Sequence, residues 1–125
     1  MSKQILAIIG LALLNAAIHA FGLLILLYWQ TKQWPKIEAG FCPRRNLTVL
    51  MTIFSVIVGL HLAEICVWAG FYLWQECFPD FETCVYFSTL TYSTLGYGDV
   101  LLPREWRLTG SVESIIGVLL MGWSA

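Results

Sequence analysis

The chain has 125 residues, of which 58% are hydrophobic and 12% charged, with a formal net charge of −1. A soluble domain this small exposes most of its surface and needs more charge than that, and the near-neutral balance offers no basic face for nucleic acid. The apolar residues fall in long runs and leave no room for a separate soluble domain, so the sequence reads as a membrane protein with little outside the bilayer.

Ile5 to Trp29 is the first apolar run, interrupted by Asn15 and His19 and closed by the interfacial pair Tyr28 and Trp29. A helix of that length exceeds the ~30 Å hydrocarbon core. A cleavable signal segment is the rival, but its apolar part spans only ~7–15 residues and an Ala-x-Ala site is missing where one would be needed. Residues 1–30 are therefore expected to form an N-terminal transmembrane helix, with Asn15 and His19, four apart, gluing it to another helix rather than binding a ligand. The 31–46 segment is polar, broken by Pro35, Gly40 and Pro43, and reads as a loop. Lys32, Lys36, Arg44 and Arg45 are four of the seven basic residues and assign this loop to the cytoplasm, against the single dissent of Lys3. The N-terminus and the segment 75–107 then lie outside.

Leu47 to Trp74 is the second apolar run and contains His61 and Glu64, three apart on one helix face. A third helix is expected over about 106–125, polar at Thr109, Ser111, Glu113 and Ser114 and apolar from Ile115, with Arg104, Trp106 and Arg107 as interfacial anchors. Between these helices Asp80 is placed to cap a short helix over about 80–93, with Glu82 in its first turn. Half the length of a span, this helix must enter and leave on one side, which backbone tolerates only inside protein or beside water. Gly96 and Gly98 flank Tyr97 and allow positive φ at alternate positions. Such alternation lets successive carbonyls face one axis, and because one chain supplies one loop, more than one chain is needed to surround it.

Cys42, Cys66, Cys77 and Cys84 are scattered, without a Cys-x-x-Cys pair or a histidine at ligand spacing, so no metal site is expected among the side chains. Cys77 and Cys84 both fall on the outer side and are expected as free thiols. Glu64, Glu113 and His61 are ionisable groups in or near the membrane. One reading is a proton-sensitive cluster behind the short helix; the other, preferred, is that they satisfy Ser88, Thr91 or backbone groups and hold that helix in place. No nucleophile–base pair indicates an enzyme.

The stretch Tyr86-Phe87-Ser88-Thr89-Leu90-Thr91-Tyr92-Ser93-Thr94-Leu95-Gly96-Tyr97-Gly98-Asp99 resembles the pore helix and selectivity filter of the potassium channel superfamily, and the resemblance extends over 47–125. It is nearest to small prokaryotic two-helix members, here with an added N-terminal helix. The resemblance implies an all-α membrane protein with three transmembrane helices and a re-entrant pore helix and selectivity-filter loop between the second and third. Its pore domain would comprise an outer helix 47–74, a pore helix about 80–93, a filter 94–99 and an inner helix about 106–125. Dehydrated K⁺ would bind carbonyls of Thr94, Leu95, Gly96 and Tyr97, with Gly98 completing the filter. Asp99, Ser93, Thr91, Glu64 and Glu113 would support it, and Gly117 falls where inner helices carry a gating hinge, with Gly122 near a packing surface. The implied protein is a homotetramer in the plasma membrane, surrounded by lipid, with no cofactor beyond the permeant K⁺, no small-molecule substrate and no enzymatic activity.

Three departures from the family pattern stand out. Leu95 replaces the commoner Val, Leu90 stands where some relatives place Glu, and Phe87 where a Trp often bonds the filter Tyr, so inactivation schemes resting on those groups do not transfer. The inner helix stops soon after Gly122 and reads as shortened, which keeps open an alternative of a non-conducting, channel-like interaction subunit.

Overall fold

The computed structural model describes residues 2–38, 40 and 42–125, and the side chains of these except 2, 3, 34 and 36–38. Of the charged side chains used to orient the chain, Lys3 and Lys36 thus lie outside the described residues. More than four-fifths of the described residues are helical, and there is no strand among them.

Helix α1 runs over Ser2–Glu38, two turns further than the apolar run predicts. Gln30, Lys32 and Gln33 are good helix formers, and Lys32 lies 4.6 Å over the Tyr28 ring one turn earlier. Pro35 falls in the last turn, so the bond it cannot donate to the Thr31 carbonyl is lost close to the helix end. Helix α2 covers Pro43–Trp74, with Pro43 in its first turn. The expected 31–46 loop is therefore helical at both ends, up to Glu38 and from Pro43. Among the described residues, α1 and α2 are the two helices long and apolar enough to cross a membrane. Their outward faces carry exposed Leu6, Phe21, Leu24, Leu47, Phe54 and Trp74, the surface of a protein whose solvent is lipid.

Helix α3 spans Phe81–Tyr92, about 18 Å at 1.5 Å per residue. Asp80 caps it: its carboxylate accepts from the Thr83 amide at 2.8 Å and from the Thr83 hydroxyl at 2.9 Å. The amide bond, with the hydroxyl behind it, holds the Asp80 carboxyl below the usual carboxylate range. A single 3₁₀ turn, Arg104–Trp106, leads into α4, Arg107–Ser124. Arg107, Ser111, Glu113 and Ser114 make the first half of α4 too polar for it to stand with α1 and α2 on hydropathy alone.

Helix α3 packs between α2 and α4, and α1 lies against both α2 and α4. Aromatic rings fill the end of this arrangement where α2 finishes and α3 begins. Tyr72 meets Phe87 edge-on at 5.4 Å, and Phe71 meets Trp106 edge-on at 5.2 Å. Trp106, expected as an interfacial anchor, thus also ties the start of α4 to the top of α2. All four cysteines are free thiols, and burial, with Cys84 and Glu105 nearby, pushes Cys77 up to about 11.

Gly117 fixes how α4 meets α3. A Cβ at this position would stand 2.2 Å from the Tyr92 carbonyl oxygen, a main-chain atom at the end of α3 that cannot swing aside. Gly117→Ala is expected to destabilise the protein by about 1–3 kcal/mol, as overpacking does. The same change at Gly122, where a Cβ meets nothing within 4 Å, is expected to be close to neutral. Thermal unfolding of the two variants in detergent checks this, and equal stability would refute the contact.

Candidate functional site

The loop after α3 is held by the end of its own helix. The Thr94 amide donates to the Thr91 carbonyl at 3.0 Å, and the Gly96 amide to the Leu90 carbonyl at 3.1 Å. Positive φ then recurs at every second residue: Thr94 at 61°, Gly96 at 47° and Gly98 at 76°. The two glycines take the conformation their lack of a Cβ permits. Thr94 does not have that freedom; a β-branched residue there is an outlier costing on the order of 1–3 kcal/mol, and the sequence alone did not flag it. The side chains of Leu95 and Tyr97 stay exposed in the single chain.

Asp99, at the end of the loop, accepts a hydrogen bond from the Tyr86 hydroxyl at 2.7 Å. The loop is thus tied to the first turns of α3 by a pair thirteen residues apart, a partner that no local spacing announces. Ser93 donates to the Thr89 carbonyl at 2.7 Å, so its hydroxyl serves its own helix end, while Thr91 contributes its carbonyl to the loop. Residues Gly96 to Asp99, with Leu90 and Thr91 of α3 and Arg107, Gly110 and Ser114 of α4, line a cavity of 260 Å³.

The two buried carboxylates grip α3 one helical turn apart. Glu113 of α4 accepts from the Tyr72 hydroxyl at 2.7 Å and from the Ser88 hydroxyl, joining α2, α3 and α4 behind the loop. Glu64 of α2 accepts from Tyr92, the last residue of α3, and contacts His19 Nδ1 at 2.8 Å and His61 Nδ1 at 3.2 Å. The expected i,i+3 pairing of His61 with Glu64 is present, and Glu113 does satisfy Ser88. The two acids nevertheless form separate networks, and Thr91 belongs to neither.

His19 is the residue whose partner the sequence did not reveal. It glues α1 to the rest, as expected, but through a carboxylate 45 positions away. Both histidines also contact the Ser124 hydroxyl, His19 Nε2 at 3.0 Å and His61 Nε2 at 3.3 Å. Asn15, one turn earlier, is fully buried and donates to the Leu11 carbonyl of its own helix at 2.9 Å.

Compared with known proteins, residues 47–125 match the family described as ion channel. The match covers α2, α3, the loop and α4, and leaves α1 outside it. No curated protein and no solved structure matches the chain.

Proposed function

Because the chain belongs to the ion channel family, within the two-transmembrane-helix branch of the potassium channel superfamily, we propose that it is one subunit of a homotetrameric, K⁺-selective pore. The observation that carries this reading is the loop 94–99, where φ turns positive at every second residue directly after a half-length helix. Four such loops around an axis supply rings of main-chain carbonyls that replace the water shell of a dehydrated cation.

In this reading the carbonyls of Thr94, Leu95, Gly96 and Tyr97 bind K⁺, together with the Thr94 hydroxyl, and Gly98 allows the chain to leave the axis. Asp99 and Tyr86 fix the outer end of the filter; Glu113, Ser88 and Tyr72 fix its back; Glu64 and Tyr92 fix its foot. Ser93 and Thr91 act through the helix end that anchors the loop. The C-terminus of α3 aims the negative end of its dipole at the bilayer centre, where it favours a cation in transit. Helix α4 is the third spanning helix and lines the pore, and Gly117 is both its contact with α3 and the point where it bends. The subunit sits in the plasma membrane with its N-terminus and filter outside and the α1–α2 turn in the cytoplasm, and K⁺ is its cargo, with no cofactor.

A single loop cannot enclose an ion, so assembly tests the reading. The mass of the detergent-solubilised protein is expected to be that of four chains plus bound detergent. A population of only monomers or dimers would contradict the proposal.

A further inference from the structure

The buried cluster at the foot of α3 has donors arranged for more than packing. His19 and Glu64 are fully buried, and the His61 side chain keeps 16% exposure. One donor atom from each of the three lies within 4.8 Å of the others. The short separations run from Glu64 to His19 Nδ1 (2.8 Å), from Glu64 to His61 Nδ1 (3.2 Å), and from His61 Nδ1 to the Tyr92 hydroxyl (3.0 Å). Bonds of about 2.0–2.1 Å to a tetrahedral ion set neighbouring ligand atoms roughly 3.3 Å apart. These three separations are close to the edge length of such a site, and Tyr92 also donates to Glu64.

Ser124 shows which ring nitrogens are free. Its hydroxyl donates to the Leu120 carbonyl at 3.1 Å, so its oxygen is left to accept from both Nε2 atoms, at 3.0 and 3.3 Å. In the arrangement that satisfies all three contacts, both histidines carry a proton on Nε2. Their Nδ1 atoms then face the two oxygens of one carboxylate. Both Nδ1 lone pairs and the carboxylate thus converge on one point, beside the Tyr92 hydroxyl 3.0 Å from His61 Nδ1. A ligating histidine characteristically spends its second nitrogen on an orienting hydrogen bond, and here a single hydroxyl orients both.

We infer that His19, His61 and Glu64, with Tyr92 as the fourth donor, form an intramembrane site for a transition-metal dication of the Zn²⁺ class, clamping α1 to the foot of the pore helix. Two imidazoles and a carboxylate are the donor set that suits Zn²⁺ and its neighbours rather than Mg²⁺ or Ca²⁺. His61 and the half-buried Ser124 leave a side from which an ion can enter. The bound ion would join residues of α1, α2 and α3, with α4 holding the rings in position. Glu64 and Tyr92 are shared with the foot of the pore helix, and cobalt spectra read the site without any measurement of K⁺ selectivity.

Titration of the purified full-length protein with Co²⁺ as a spectroscopic probe tests the site. One Co²⁺ per chain is expected, with the intense visible bands of four-coordinate cobalt, displaced on adding Zn²⁺. His19→Gln and His61→Gln are each expected to weaken binding by roughly 100-fold, and Ser124→Ala, which keeps every ligand but loosens both rings, by about 10-fold. Absence of binding by the unaltered chain overturns the inference. Unchanged affinity in Ser124→Ala also overturns it, an outcome that remains readable if the histidine variants fail to fold. Weak six-coordinate bands common to all variants would mean adventitious surface binding and overturn it as well.

Discussion

Gly96→Ala is expected to abolish K⁺-selective current while leaving the helices and the assembly in place. Gly96 holds φ at 47°, and a side chain in this left-handed region costs roughly 1–2 kcal/mol per residue. Over four loops the strain sums to roughly 4–8 kcal/mol, concentrated in a segment held to its helix by only two main-chain bonds within the chain, at Thr94 and Gly96. The loop is expected to relax toward negative φ, which turns a carbonyl away from the ion path. A Cβ at Gly96 meets nothing within 4 Å inside the chain, so conformation rather than collision is the cause within the subunit. Gly10→Ala, in α1 with equally open space and no positive φ, is the matched control and is expected to conduct normally. Flux from liposomes loaded with each variant compares them; full selective flux through the Gly96→Ala protein would remove the basis for the filter.

The second large effect is expected at Glu113. Its carboxylate is the common acceptor for Tyr72 and Ser88, and all three side chains are buried where water cannot take its place. Glu113→Ala strands the Tyr72 hydroxyl, while Ser88 keeps the Ile65 carbonyl as an acceptor at 3.2 Å, so a loss of about 1–3 kcal/mol is expected. Glu113→Gln keeps one acceptor oxygen and nearly the same volume, and is expected to lose less. The defect lies behind the 94–99 loop, so under the proposed function the Ala variant is also expected to lose selectivity as α3 shifts on α2. Unfolding midpoints in denaturant for the two variants measure this, and an Ala variant as stable as the parent would refute the role assigned to the carboxylate.

What the sequence made legible were features in which physics acts over short spans. The capped half-length helix, the glycine alternation around Tyr97 and the His61–Glu64 spacing each depend on neighbours within a few residues, and each is found in the structure. The extent of α1 was less legible, because the polar residues after Trp29 suit a helix as well as a loop and Pro35 breaks one only when it falls in the interior. The pairings that assemble the site were illegible. Tyr86 with Asp99, Glu113 with Tyr72, and His19 with Glu64 depend on which helix faces which, and helical periodicity does not specify that. The His19–His61–Glu64 cluster was missed for the same reason: its members have no motif spacing, and only the docking of α1 on α2 brings them together. Thr94 at positive φ was hidden because nothing in its identity favours that conformation; the turn around it imposes the angle.

Main-chain carbonyls of the 94–98 loop are expected to select the permeant ion, and a reversal potential under bi-ionic conditions is the test. With K⁺ on one side of a bilayer holding the purified protein and Na⁺ on the other, carbonyl coordination predicts a large shift toward the K⁺ equilibrium potential. A reversal potential near zero, with K⁺ and Na⁺ passing equally, would contradict the account.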